Sequence, residues 1–251
     1  MWTRIVAYLV YAFLYAPIVI VVLYSFDDSR LAVKWTGFTL KWYQQLMDDP
    51  DLLHAFTNSL KVATISVLCS ATMGTMAAVG LTRMRFAGSG FYRGMTMLPV
   101  IVPEIAMAVS ALTLFVALGV RLSLGTIIVS HIVFCVAYII LVVMGRLQGL
   151  DPRLEEAAQD LGAPPVVAFF KVTLPLLWPG ILSGSLLAFV LSLDDFVITQ
   201  FTAGVGDTTL PLWIYSSVKF GVSPEINALS TIMITITAGA LIIAELVRSK
   251  K

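Results

Sequence analysis

DPRLEEAAQDLGAPPVVAFFKVTLP, residues 151–175, is the one long polar interval in the otherwise oily second half of a 251-residue chain. Asp151 is placed to cap a helix through its side-chain oxygen, and Pro152 suits the first helical position. Glu155 and Glu156 then complement the positive end of the helix dipole. Gly162 suits the residue just past the helix end, where the left-handed conformation costs glycine least, and Pro164 and Pro165 open a new segment. Between these signals Leu154, Ala157, Ala158 and Leu161 recur at helical spacing, while Arg153, Glu155, Glu156, Gln159 and Asp160 fill the other face. The apolar face is small at its centre, so another surface can approach the backbone closely. The carboxylates beside it can hold a basic partner through charge-assisted hydrogen bonds. A short docking helix between two apolar segments is therefore expected.

The same stretch carries a spaced signature: Glu156-Ala157-Ala158, three residues, Gly162, nine residues, Val172, one residue, then Leu174-Pro175. It resembles the EAA loop of ABC importer permeases, with Val172 where isoleucine is commoner. Glu-Ala-Ala alone fits any amphipathic surface helix; the spacing to Gly162 and Leu174-Pro175 carries the resemblance. It implies a cytoplasmic coupling helix seated in a cleft of an ATPase subunit, with Glu155, Glu156, Ala157, Ala158, Gly162, Leu174 and Pro175 as the coupling residues.

Composition sets the surroundings. With 59% hydrophobic and 12% charged residues and a mean hydropathy of +0.92, the chain departs from soluble globular proteins, in which charged residues run near a quarter. A net charge of +1 and the lack of basic runs argue against nucleic acid as a partner. Cys69 and Cys135 stand alone inside apolar segments without metal-ligand spacing and read as small buried hydrophobes.

The expected fold is an all-α polytopic membrane protein, a single permease domain over 1–251, with six spans at about 5–25, 58–81, 92–119, 125–144, 177–202 and 227–247. The coupling loop covers 145–176. The first span exceeds a signal-peptide core and lacks a small-x-small cleavage site, so it is expected to stay. Thr39 is placed to cap a short helix whose Trp42, Tyr43 and Leu46 suit a membrane interface. Trp42 also fits the mouth of a cation path, because indole is the best cation-π partner. Pro99 and Pro103 should kink the third span, with Glu104 immediately after. Interrupted helices at membrane depth need protein or water around them, so this span should face an interior. His131 reads as a helix-packing residue, and a short helix is expected through Leu210–Tyr215. Ser223, Pro224 and Glu225 carry the start signals of the sixth helix.

Basic residues orient the spans. Arg4, Arg83, Arg85, Arg93, Arg146, Arg153, Lys171, Arg248, Lys250 and Lys251 outnumber Arg30, Lys34, Lys41, Lys61, Arg121 and Lys219. The first set therefore marks the cytoplasmic side, with both termini inside. The docking helix falls on that side independently of its motif.

Charged side chains near a bilayer centre cost about 2.5–3.5 kcal/mol on insertion scales and are usually paired, cavity-facing or functional. Glu104, Asp194 and Asp195 have no lysine or arginine within their own spans. At roughly 1.5 Å per residue, Glu104 and Asp194 lie about 20 and 24 Å from the cytoplasmic ends, so the two can share a depth. Neighbours on a helix diverge by about 100°, so Asp194 and Asp195 share one space only if that space is wide or the helix breaks. Alternatively one of them caps a helix or pairs with a basic residue. Carboxylates in a low-dielectric path attract a multiply charged cation, such as an organic amine, and repel anions. They also fit a solvated vestibule or a structural hydrogen-bond network.

Here a second resemblance enters. Thr39-Leu40-x-Trp42-Tyr43, Pro103-Glu104-Ile105-Ala106-Met107-Ala108, Leu191-Ser192-Leu193-Asp194-Asp195-Phe196, and Thr209–Tyr215 through Val222–Leu229 are similar to the C-type permeases of spermidine/putrescine ABC transporters. Family members often have aspartate at the position of Glu104, a change that keeps the charge. The resemblance implies a type I importer permease in a bacterial inner membrane, with Trp42, Glu104, Ser192, Asp194 and Asp195 along the substrate path. It further implies a second related permease, two ATPase subunits holding ATP and Mg, an extracytoplasmic substrate-binding protein, a polyamine cargo and surrounding lipid. The chain has no GxxxxGK[ST] phosphate loop, so energy must come from a partner, and no cofactor or metal is expected in it. The coupling loop equally suits an importer of iron, thiamine or another small solute. A passive channel would explain the spans and acids but not the EAA spacing. An intramembrane enzyme needs its two aspartates on different helices, whereas Asp194 and Asp195 are neighbours.

Overall fold

In the computed structural model the described residues are 2–29, 35–84, 87–151, 153–219 and 224–235. They form helices α1 (Trp2–Tyr24), α2 (Lys41–Asp48), α3 (Pro50–Arg83), α4 (Ser89–Ile101), α5 (Glu104–Ala117) and α6 (Leu124–Gln148). There follow α7 (Arg153–Asp160), α8 (Pro165–Ala168), a π-helical turn (Phe169–Thr173), α9 (Leu174–Asp194), α10 (Val197–Thr202) and α11 (Leu210–Lys219). A last helix, α12, occupies 224–235. Four of these helices are long and apolar enough to cross a membrane, or five if the bent pair α4 and α5 counts as one span. Ser223, Arg85 and the part of the expected sixth span beyond 235 lie outside the described residues.

The chain divides into two units. In the first (Met1–Leu53 and Trp213–Lys251), α1 buries no residue. At about 1.5 Å per residue it is long enough for a hydrocarbon core of about 30 Å. The segment after it is pinned by a bridge between Asp27 and Phe38, by the stacked rings of Phe26 and Phe38, and by the Trp42 indole N–H donating to the Asp27 carbonyl at 2.7 Å. Trp42 and Leu46 are the buried face of α2. The Thr39 hydroxyl accepts the Lys41 N–H at 3.2 Å at the start of that helix.

α3 begins earlier than the expected span at 58, because the Asp49 carboxylate accepts the N–H groups of Asp51 and Leu52 at 2.8 and 3.1 Å and Pro50 takes the first turn.

In the second unit (His54–Leu212) the core joins α3, α6 and α9 through Val67, Phe134, Ile139, Val143, Leu177 and Ala188. Small residues set the approach. A Cβ on Gly74 would stand 2.9 Å from Ile139, and one on Gly180 would stand 2.9 Å from the Arg146 side chain. Close backbones replace the hydrophobic drive that lipid removes. Ser66 and Ser70 donate from α3 to the carbonyls of Ile128 and Ile132 on α6. Cys135 is buried as expected, whereas Cys69 is exposed.

Two expected spans are broken. Instead of one kinked helix over 92–119, α4 and α5 bend by 105°. Pro99 is accommodated inside α4, and the break falls at Pro103, with Val102 extended at ψ 134°. A residue before proline is pushed out of the α region, and proline brings no N–H to continue the ladder. Instead of one helix over 177–202, α9 ends at Asp194, Asp195 is extended at ψ 119°, and α10 follows. At its other end α9 is continuous with the π turn and α8, so Leu174 and Pro175 lie within a helix rather than in the loop.

Candidate functional site

The two breaks meet. α10 packs on α5, which brings Glu104, the first residue of α5, against the Asp195 carboxyl and within reach of the Asp194 charge. Glu104 and Asp194 are exposed, while Asp195 is buried. Among the described residues no lysine or arginine is ion-paired to any of the three. Glu104 also borders a cavity of about 230 Å³ whose walls include Met107, Phe134, Tyr138 and Leu191. A carboxylate beside aromatic rings suits an organic cation.

Asp195 differs from the other two acids. Its Oδ1 accepts the Ile198 N–H at 3.2 Å, and its Oδ2 accepts the Thr199 N–H at 2.8 Å and the Thr199 hydroxyl at 2.7 Å. His131 Nε2 lies 3.2 Å from the same oxygen. This is the cap of α10, filled by neighbours. Of the two roles open to Asp195 in the sequence, substrate lining and capping, the geometry favours capping, leaving Glu104 and Asp194 as the exposed acids. Ser192, expected along the path, is buried and lies 2.8 Å from His131 Nδ1. Ser192, His131 and Asp195 resemble a hydrolytic triad in composition, but their exposures of 4%, 1% and 5% leave no room for a reacting carbonyl. Trp42 belongs to the first unit, where its indole N–H is taken by Asp27 and Lys41 Nζ already stands 4.5 Å over its ring.

The docking helix is built as its residues dictate. Asp151 accepts the Arg153 N–H at 3.0 Å, and Glu155 and Glu156 occupy the first turn. Gly162 takes φ +87°. Its N–H donates to the Gln159 carbonyl at 2.8 Å and the Ala163 N–H to the Ala158 carbonyl at 3.1 Å, a Schellman end. Leu154 and Leu161 point outward, Leu161 at 90% exposure, so among the described residues nothing covers the apolar face at these two positions.

Glu155 is engaged internally. It accepts hydrogen bonds from the Arg83 guanidinium at the end of α3 and from the Thr173 hydroxyl in the π turn. Burial pushes its carboxyl up, but these two donors and the Arg83 charge outweigh that and hold it below its ordinary value. Glu156 is exposed and remains available to a basic partner. The π turn lets the Leu174 N–H reach the Phe169 carbonyl just before Pro175, which has no N–H to offer.

His131 is buried and hydrogen-bonded, in keeping with the packing role expected of it, whereas the contacts of Arg83, Thr173 and Tyr138 have no signal in the sequence. For Asp195 the signal is the residue type alone, since aspartate is a favoured helix cap, while the Val197-Ile198-Thr199 run after it has low helix propensity.

A family described as binding-protein-dependent transport system inner membrane component matches residues 70–248. The chain is 43% identical over 242 residues to the spermidine/putrescine transport system permease protein PotC of Escherichia coli strain K12, covering 96% of this chain and 92% of that protein. It is 44% identical over 240 residues to the putrescine transport system permease protein PotI of the same strain, covering 93% and 85%. Its backbone matches a crystal structure of a bacterial ABC transporter involved in the import of the acidic polysaccharide alginate at a TM-score of 0.75. That match has 15% identity and covers 98% of this chain and 94% of the other, a likeness of fold.

Proposed function

The chain belongs to the inner membrane components of binding-protein-dependent transport systems, and from that membership we propose that it is one of two permeases in an ATP-driven importer of polyamines. It is a transport subunit and not an enzyme. The observation that carries the substrate reading is the gathering of Glu104 with Asp194 and Asp195 at two broken helices without a lysine or arginine partner among the described residues. Such a site favours a multiply charged cation over an anion or a neutral solute. The names of the 43% and 44% identical relatives, spermidine/putrescine and putrescine permeases, agree with that chemistry.

The cargo enters from an extracytoplasmic binding protein. A second related permease completes the path, and two ATPase subunits supply ATP and Mg chemistry on the inside. Both termini face the cytoplasm, as the basic residues require. ATP binding draws the ATPases together and moves α7. The Glu155 contacts to Arg83 and Thr173 pass that motion into α3 and α9. α9 then moves the acidic corner at its far end, opening it in turn to each side.

Uptake of radiolabelled spermidine and putrescine into proteoliposomes holding the complete complex tests this, with unlabelled amines as competitors. Saturable uptake that needs both ATP and the binding protein is expected. Absence of amine uptake, with ATPase activity still stimulated by a different loaded binding protein, would keep the coupling loop and remove the polyamine reading.

A further inference from the structure

His131 touches both sides of the break between α9 and α10. Its Nδ1 lies 2.8 Å from Ser192 Oγ, before the break. Its Nε2 lies 3.1 Å from Thr199 Oγ1 and 3.2 Å from Asp195 Oδ2, after it. With its proton on Nε2, the ring donates to the Thr199 hydroxyl, which in turn donates to Asp195, and Nδ1 accepts the Ser192 hydroxyl. The ring also packs against Phe134, 5.1 Å between centroids, and Phe134 walls the cavity that Glu104 borders. His131 itself is anchored on α6, the helix against which α9 packs.

We propose that His131 is a positioning residue for translocation: it clasps the α9–α10 corner so that movement of α9 is delivered to Asp194, Asp195 and Glu104 as one unit. Three features carry this. A single side chain bonds residues on both sides of a helix break, where Asp195 leaves the helical conformation. Asp195, held by that ring through Thr199, is the residue that meets Glu104. The opposite end of the same helix system is bonded to the docking helix through Thr173 and Glu155. Without the clasp, α9 would still be moved from below, but the corner would be free to lag. Transport would then fall relative to ATP hydrolysis, rather than with it.

This inference rests on the importer reading, and its test separates the two. The amine taken up per ATP hydrolysed is measured in the complete complex for wild type, His131→Ala, His131→Gln and His131→Asn. Glutamine reaches the Nε2 position and keeps a donor for Thr199, the residue bonded to Asp195; asparagine reaches only the Nδ1 position. The expected result is a ratio lowered on the order of tenfold in the alanine and asparagine variants, with binding-protein-stimulated ATPase retained, and substantial recovery with glutamine. Uptake and ATPase falling together in all three variants would reduce His131 to a folding residue, and an unchanged ratio in alanine and asparagine would remove the clasp outright. Amide exchange over Val197–Thr202 is read in the same samples: the clasp predicts faster exchange in alanine and asparagine than in glutamine, whatever solute is carried. If wild type moves no amine, the polyamine reading fails and this exchange pattern alone decides the clasp, uniform exchange across the variants overturning it.

Discussion

Arg83, the last residue of α3, is ion-paired with Glu155 of α7, 72 positions away in the chain. Together with the Thr173 hydroxyl, this pair fastens α7 to the ends of α3 and of the α8–α9 helix, two of the three long helices that meet in the second unit's core. A pull applied to α7 would reach α3 and α9 through these contacts.

Glu155→Gln removes the ion pair while keeping a side chain of similar shape. The side chains are 33% and 18% exposed, so the loss in stability should be modest, about 1 kcal/mol or less. The effect on coupling should be larger, with ATP hydrolysis continuing at reduced uptake. Because the Glu155 carboxyl is held below its ordinary value, its contribution is present above the unfolded pKa of about 4.3 and is lost as pH falls through the folded value. The melting difference between wild type and Glu155→Gln should therefore be constant between about pH 6 and 8 and shrink below about pH 4.

Glu156→Arg reverses the charge of the first-turn acid that α7 leaves exposed. Membrane insertion and assembly of the permease pair should survive, while binding-protein-stimulated ATPase should no longer drive uptake. Normal uptake by this variant would remove the docking role of Glu156.

Gly162→Ala tests the helix end. Nothing lies within 4 Å of the added methyl, so the cost is the left-handed backbone at φ +87° alone, roughly 1–2 kcal/mol. The Schellman bonds should weaken and the α7 amides should exchange faster, with the helices of the core unaffected.

Pro103→Ala restores a backbone donor at the 105° bend between α4 and α5. The two helices should straighten toward one another and carry Glu104 away from Asp195. Uptake should fall by roughly tenfold or more, within the range of coupling effects between distant parts of a protein, with the complex still assembled.

The docking helix was legible from residues 151–175 because its signals are local: a capping acid, two first-turn glutamates and a glycine that the backbone needs. The break at Pro103 was half legible, since proline announces a kink but not its angle. The start of α3 carries the same acid–proline signal, Asp49-Pro50, as Asp151-Pro152. Capping was one of the roles open to Asp194 and Asp195 in the sequence, but only the break after α9 shows that Asp195 is the one that takes the Ile198 and Thr199 N–H groups. The contacts of Glu155 with Arg83 and of His131 with Ser192, 72 and 61 positions apart, follow from how α3, α6 and α9 pack. No local pattern encodes them.

The most direct measurement is the initial rate of ATP-driven spermidine uptake by a complex carrying Glu104→Gln and Asp194→Asn together, beside wild type, with stimulated ATPase measured in the same vesicles. These are the two exposed acids of the corner, and neither has a lysine or arginine partner among the described residues. A fall in uptake of about a hundredfold with ATPase retained is the result expected if amines pass these carboxylates, at roughly 1.4 kcal/mol per acid for each tenfold. Uptake at the wild-type rate would contradict a cation path through Glu104 and Asp194.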